Sequence, residues 1–181
     1  MSELIAYIAP QNVLPALSDC LLILNSSNSH LNVMQAEDAS VVQRHYVLQM
    51  PVQRLVFPPA NCHWLIANLS SEPHPPIRTL QNNLVVTAVG LCTNHLDLAR
   101  SLNIGVASSL SVLIEALILR QLGNGATLVE AITNSNAQIE GDLSYICHQQ
   151  GQTQFMFACC LGRPLFVGLE SGLRQICCSS L

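Results

Sequence analysis

Ser2 is the first residue of this chain whose type and position could do chemistry. A small second residue favours removal of Met1. The product is a serine hydroxyl beside a free α-amine, a nucleophile with its own base. The plain alternative is that Ser2 merely starts a strand. Cys147 and His148 are adjacent, and Cys159-Cys160 and Cys177-Cys178 add four thiols, so a zinc site is conceivable; the spacing fits no ligand template, and no metal is called for. His63-Trp64 reads as a base beside an aromatic wall or as strand alternation. His74, in the turn PHPP, reads as a loop-stabilising histidine, and Arg78 as a solvated cation. No Gly-rich phosphate loop, paired metal carboxylates or dinucleotide fingerprint is present, so no cofactor is expected.

Positioning these residues falls to a series of short elements. Residues 4–9 (LIAYIA) form a short apolar run closed by Pro10, which predicts a buried strand. Residues 12–24 repeat apolar side chains at helix period, with Pro15 tolerated in the first turn. Residues 31–34 and 41–49 predict strands around a turn at Glu37-Asp38, and residues 63–67 another. Residues 70–76 read as an irregular loop, and residues 84–89 as a strand. The period then changes. Residues 95–102 predict a short helix. Ser108 is the expected N-cap of a helix over 110–122, closed by Gly123 and Gly125. Thr127 with Glu130 makes a capping box for the next helix. Residues 143–148 and 154–160 predict a hairpin around 149–152, and residues 165–169 a last strand. Hairpins with paired helices predict α+β layers rather than a doubly wound parallel sheet.

The chain has 181 residues, 50% of them hydrophobic and 10% charged, and reads as one domain over 1–181. Such a composition excludes a disordered chain. No uncharged apolar run reaches about 18 residues, so no membrane span is expected. All seven cations are arginines, scattered along a chain of net charge −4, which argues against nucleic-acid binding. Low charge density with a greasy composition suggests an oligomer or a complex. The N-terminus has no basic region or cleavage site, so a cytoplasmic location with reduced cysteines is expected.

The collinear run from Val85 to Gly168 resembles the glutaminase domain of class II glutamine amidotransferases, most like that of glucosamine-6-phosphate synthase. MSELIAYIA is similar to the family opening Met-Cys-Gly-Ile-Val-Gly-x-Ile. Residues 85–95 resemble a strand ending in His-Asn-Gly-Ile-Ile-x-Asn-His, with Gly90, Asn94 and His95 retained. Residues 107–114 sit where the family has Ser-Glu-Thr-Asp-Thr-Glu-Val-Ile. Residues 125–132 match Gly-x-x-Leu-x-x-Ala-x, and RPLFVG at 163–168 matches Ser-Pro-Leu-x-Ile-Gly. The resemblance implies a four-layer αββα sandwich of antiparallel sheets, the N-terminal-nucleophile hydrolase type, trimmed at the C-terminus.

It also implies which residues would matter. In that family an N-terminal Cys attacks the glutamine amide with its own amine as base. An Asn-Gly pair forms the oxyanion hole, an Arg holds the substrate carboxylate and an Asp its ammonium group. The matching positions here are Ser2, Val89-Gly90, Ser70 and Leu110, and His74 matches a His-Pro turn. Val89 offers no oxyanion donor, and losing one such donor costs on the order of 10² to 10³ in rate. Ser70 has no fork for a carboxylate. Leu110 leaves an ammonium unpaired. The resemblance therefore implies a glutaminase-like domain that has lost its activity and serves as a binding, scaffold or regulatory subunit. Its partner would be a second copy or a synthase subunit. The alternative is an active N-terminal-serine amidohydrolase or amidotransferase acting through Ser2.

Overall fold

Residues 4–9 are apolar without a break, so a strand made from them needs cover on both faces. The computed structural model, which describes residues 2–9, 12–24, 30–37, 40–48, 62–70, 83–149, 155–170 and 173–178, supplies that cover. β1 (Ser2–Ile8) lies within a six-stranded sheet with β2 (His30–Glu37), β3 (Ser40–Val47), β4 (Trp64–Ser70), β8 (Phe166–Glu170) and β9 (Leu173–Cys178). The order is β3-β2-β4-β1-β9-β8, with every pairing antiparallel. A second sheet holds β5 (Leu84–Cys92), β6 (Gly141–Gln149) and β7 (Phe157–Leu161), also antiparallel.

Strand alternation sorts the core into three apolar layers. Ile5, Tyr7, Leu31, Val33, Leu65, Ala67 and Leu69 face outward from the larger sheet, where Val13 and Leu14, Leu17, Cys20 and Leu21 of α1 (Leu14–Leu24) cover them. Leu4, Ala6, Ile8, Met34, Trp64 and Ile66 face the other way and meet Val85, Val89 and Ile146 of the smaller sheet. On that sheet's far face, Leu84, Val86, Leu143, Tyr145 and Cys147 pack beneath α2 (His95–Ser101), α3 (Leu110–Gly123) and α4 (Leu128–Asn136). The stack is the expected α+β sandwich: α1, sheet, sheet, then the three helices. No helix among the described residues is long and apolar enough to cross a membrane.

The helices form for local reasons. In α3, Leu113, Ile114, Leu117 and Ile118 make one apolar stripe onto the smaller sheet. The capping box of α4 is present: Thr127 Oγ1 accepts the Glu130 N–H, and the Glu130 carboxylate accepts the Thr127 N–H at 2.9 Å. That hydrogen-bonded carboxyl is held below its usual range by the Thr127 amide and hydroxyl.

Several boundaries differ from expectation. The N-cap of α3 is Ser109 rather than Ser108: its backbone is extended at ψ 158, and its hydroxyl accepts the Val112 N–H at 3.4 Å. Ser108 instead offers its carbonyl to His95 Nε2 at 3.0 Å. α1 begins at Leu14 because Asn12 stays outside, where its Oδ1 accepts the Leu14 N–H at 3.2 Å. β4 runs on to Ser70, which was expected to open a loop, and β5 runs on to Cys92. β9 had no counterpart in the local pattern, since its partner β1 lies at the other end of the chain. The turns expected at Glu37-Asp38 and around 149–152 fall partly outside the described residues.

Candidate functional site

The N-terminal end of β1 carries Ser2, the residue expected as a nucleophile, and the sheet register decides its neighbours. Ser2 stands opposite Ser70 of β4, and Ser70 stands opposite His30 of β2. The next inward row is Leu4, Asn68, Asn32 and His45, read from β1 to β3. Residues 32 and 68 share the parity of Met34 and Ile66, so both asparagines face the inter-sheet layer. Ser70, Asn32 and Asn68 are buried, His30 is half-buried and His45 is exposed. The two histidines stack with ring planes 6° apart, and Nδ1 of His30 is 3.2 Å from Nε2 of His45. One ring nitrogen donates and the other accepts. This cluster was not legible as a site in the sequence. The signal available was a tight β2–β3 hairpin whose register pairs Asn32 with His45.

Val89 is buried in the inter-sheet layer, in the same cluster as Leu4, two residues from Ser2. Opposite it in register is Ser144, whose hydroxyl donates to the Arg163 carbonyl at 2.5 Å. Cys160 Sγ donates to that same oxygen at 2.7 Å. Arg163 is half-buried, and its Nε is enclosed without a partner. Gly90 follows with φ +120, a region that side chains rarely adopt. A Cβ there would lie 2.3 Å from the Asp142 carbonyl oxygen and 2.5 Å from Leu143 Cα. Glycine at this position is thus demanded by backbone packing alone.

Leu110, the first residue of α3, packs against the helix-side core and not into the layer that holds Val89 and Leu4. Its helix is tied to the sheet by the Ala88 N–H, which donates to Ser111 Oγ at 3.0 Å. The structure therefore brings Ser2 and Ser70 into register, sets Val89 in Leu4's cluster, and assigns Leu110 to a different core. His74 and Arg78 lie outside the described residues.

The other family-like residues hold backbone. Asn94 Nδ2 donates to the Gln138 carbonyl at 2.8 Å, while its Oδ1 accepts the Glu140 N–H at 3.1 Å and the Cys92 thiol at 3.2 Å. His95 joins the start of α2 to the residue before the α3 cap. Each retained residue thereby has a structural task.

Cys147 and His148 point to opposite faces of β6. Cys147 belongs to the helix-side core and His148 meets Trp64 of the opposing sheet, so the pair cannot share an ion. Burial pushes the Cys147 thiol well above its ordinary range, which leaves it protonated and inert. The aromatic wall at Trp64 serves His148, with ring centroids 4.3 Å apart and planes tilted by 48°. His63 is half-buried and offers its carbonyl to the Ala9 N–H. His148 Nδ1 is bonded to the Phe155 carbonyl at 2.9 Å and its Nε2 has no partner. Burial lowers its pKa below the usual 6.5, with the Phe155 bond pulling the other way. Its Nδ1 donates, and the ring is neutral.

Charge is scarce in the inter-sheet layer. Its buried polar side chains are Asn32, Asn68, Ser70, Thr87, Ser144 and His148, all uncharged. Glu115, the one buried carboxylate among the described residues, lies on α3 beside Cys147. An enclosed zwitterion would find no paired charges here, an arrangement that costs several kcal/mol, roughly 3–5 for each broken buried pair.

No protein-family model matches the sequence, and no curated protein matches it. Solved structures do share the fold. The glutamine phosphoribosylpyrophosphate amidotransferase of B. subtilis, complexed with ADP and GMP, superposes with a TM-score of 0.74 over 97% of this chain, at 16% identity. A structure described as the allosteric regulatory enzyme of purine biosynthesis gives 0.75 over 97%, at 14% identity. This chain spans 41% of the length of each. Sequences this far apart share architecture; their chemistry has to be argued from the site.

Proposed function

We propose that this chain is a glutamine amidotransferase-like domain that does not hydrolyse glutamine and acts as a binding, scaffold or regulatory subunit. One observation carries the reading. The buried side chains of the layer reached from the Ser2–Ser70 register are apolar or uncharged among the described residues, with the half-buried Arg163 bonded through its carbonyl to Ser144. The family's route needs a nucleophile, an oxyanion hole and two charged clamps on the substrate. Val89 replaces an amide donor with an isopropyl group, and it is buried in apolar contacts. Ser70 replaces a guanidinium. Leu110, expected at the carboxylate position, packs against the helical core and brings no charge to this layer. Gly90, Asn94 and His95 survive, and their packing and hydrogen bonds account for them without catalysis.

The decisive measurement is ammonia release from L-glutamine by the purified chain. We expect no release above that of Ser2→Ala. Release that disappears in Ser2→Ala would overturn the reading.

The second reading is an amidohydrolase that uses Ser2 on another substrate. It is favoured by the row Ser2, Ser70 and His30, which sets two hydroxyl residues beside a histidine in register. Intact mass for Met1 removal, followed by turnover of a panel of acyl amides with the Ser2→Ala control, separates it from the first. A partner or second copy is part of the first reading, as is a cytoplasmic setting. The buried cysteines Cys20, Cys62, Cys92 and Cys147, which form no disulfide, fit the latter.

A further inference from the structure

Asn32 and Asn68 stand directly opposite each other on β2 and β4, facing the inter-sheet layer, with exposures of 2% and 9%. Neighbouring carboxamides of this kind ordinarily bond to each other. These do not: Nδ2 of Asn32 is an unpartnered donor, and Oδ1 of Asn68 is an unpartnered acceptor. Native interiors rarely leave such groups unsatisfied, and two on adjacent strands form a matched set. Ser70 extends the polar surface toward Ser2, and His30 and His45 extend it toward solvent, since His45 is exposed.

We propose that the Asn32–Asn68 pair is a binding site for a small uncharged ligand bearing a primary carboxamide. The ligand carbonyl accepts from Asn32 Nδ2, and its N–H donates to Asn68 Oδ1, the complementary two-bond pattern of one amide on another. Charge selects the class. The buried polar groups of this layer are neutral, and Asn32 and Asn68 are its only orphaned amides among the described residues. A carboxylate would accept from Asn32 and set an acceptor against Asn68 Oδ1, so it is disfavoured. The ligand enters from the β3 side, where His45 and Gln43 are exposed and His30 is half-buried. The site needs no bond cleavage. It deepens the proposed function by naming what a non-hydrolysing domain would hold, and it rests on that reading only for the site's role.

The test is a two-dimensional NMR titration of the full chain with propionamide, propionate and L-glutamine, repeated on Ser2→Ala so that turnover cannot mimic binding. We expect saturable propionamide shifts on β2 and β4, with propionate at least about tenfold weaker. Asn32→Leu or Asn68→Leu weakens propionamide by about tenfold or more, the loss expected when a buried hydrogen-bond partner is removed. Asn32→Ser and Asn68→Ser serve if the leucine variants do not fold. The proposal is overturned by any of four results: no saturable shifts, propionate as strong as propionamide, variants that bind like the parent, or L-glutamine binding more than about tenfold tighter than propionamide, since an extra tenfold needs charge contacts the site lacks. Ammonia release leaves these affinities untouched, so the proposed function and this inference fail separately.

Discussion

Gly90 and Val89 adjoin, yet they carry opposite messages. Gly90 was expected to mark an oxyanion hole, but its φ of +120 and the Asp142 carbonyl, which a Cβ there would meet at 2.3 Å, require a glycine whatever the function. Val89 has no such excuse: a polar amide there would sit among Leu4, Ile66 and Ile146. We expect Gly90→Ala to destabilise the fold by about 1–3 kcal/mol from backbone strain alone, with more from the clash. Equilibrium denaturant unfolding will show it as a lower midpoint at unchanged slope. An unchanged midpoint would mean that β5 and β6 do not approach at Gly90 as closely as the structure shows. The residue lesson is that two adjacent positions are constrained separately, Gly90 by the backbone that passes it and Val89 by the apolar layer in which it is buried.

Among the elements, β8 is a candidate contact with another chain. It is an edge strand of the six-stranded sheet, and Phe166 and Val167, on opposite faces, are 54% and 60% exposed. Edge strands of this kind pair with other chains unless a charge or proline blunts them. A self-associating chain is therefore expected, with β8 at the contact. Light scattering behind size exclusion should report a mass above the monomer, and Val167→Lys should return it to the monomer without loss of melting temperature. A monomer at every concentration would count against β8 as a docking edge. The smaller sheet manages one of its edges internally, since the free side of β5 gives the Ala88 N–H to Ser111 of α3.

At the scale of the whole molecule, the sandwich closes over His148. Burial between the sheets depresses its folded pKa below the ordinary value near 6.5. The unfolded chain therefore binds a proton that the folded chain refuses. Stability is full above about pH 7 and is lost as pH falls below about 6.5 toward the depressed value, with a slope of at most about 1.4 kcal/mol per pH unit. The parent minus His148→Gln difference in unfolding free energy should show this slope, and a flat difference between pH 7 and about pH 5 would refute a buried neutral ring. Much of the layering was legible beforehand because it follows from local periodicity. The unbroken run 4–9 demanded cover on both faces, the stripe 113–118 demanded a sheet to lie on, and Thr127 with Glu130 marked a helix start. Other features depend on which strands meet. Nothing local says that Ser70 will pair with both Ser2 and His30, that β9 will return to β1, or that Asn32 and Asn68 will lie side by side and unbonded. The sequence by itself determined the elements, since these are matters of residue type and short spacing. Only the tertiary structure decided that Leu110 belongs to the helical core, that His148 belongs to Trp64, and that two orphaned amides share one face, because these follow from register and layer order across distant parts of the chain.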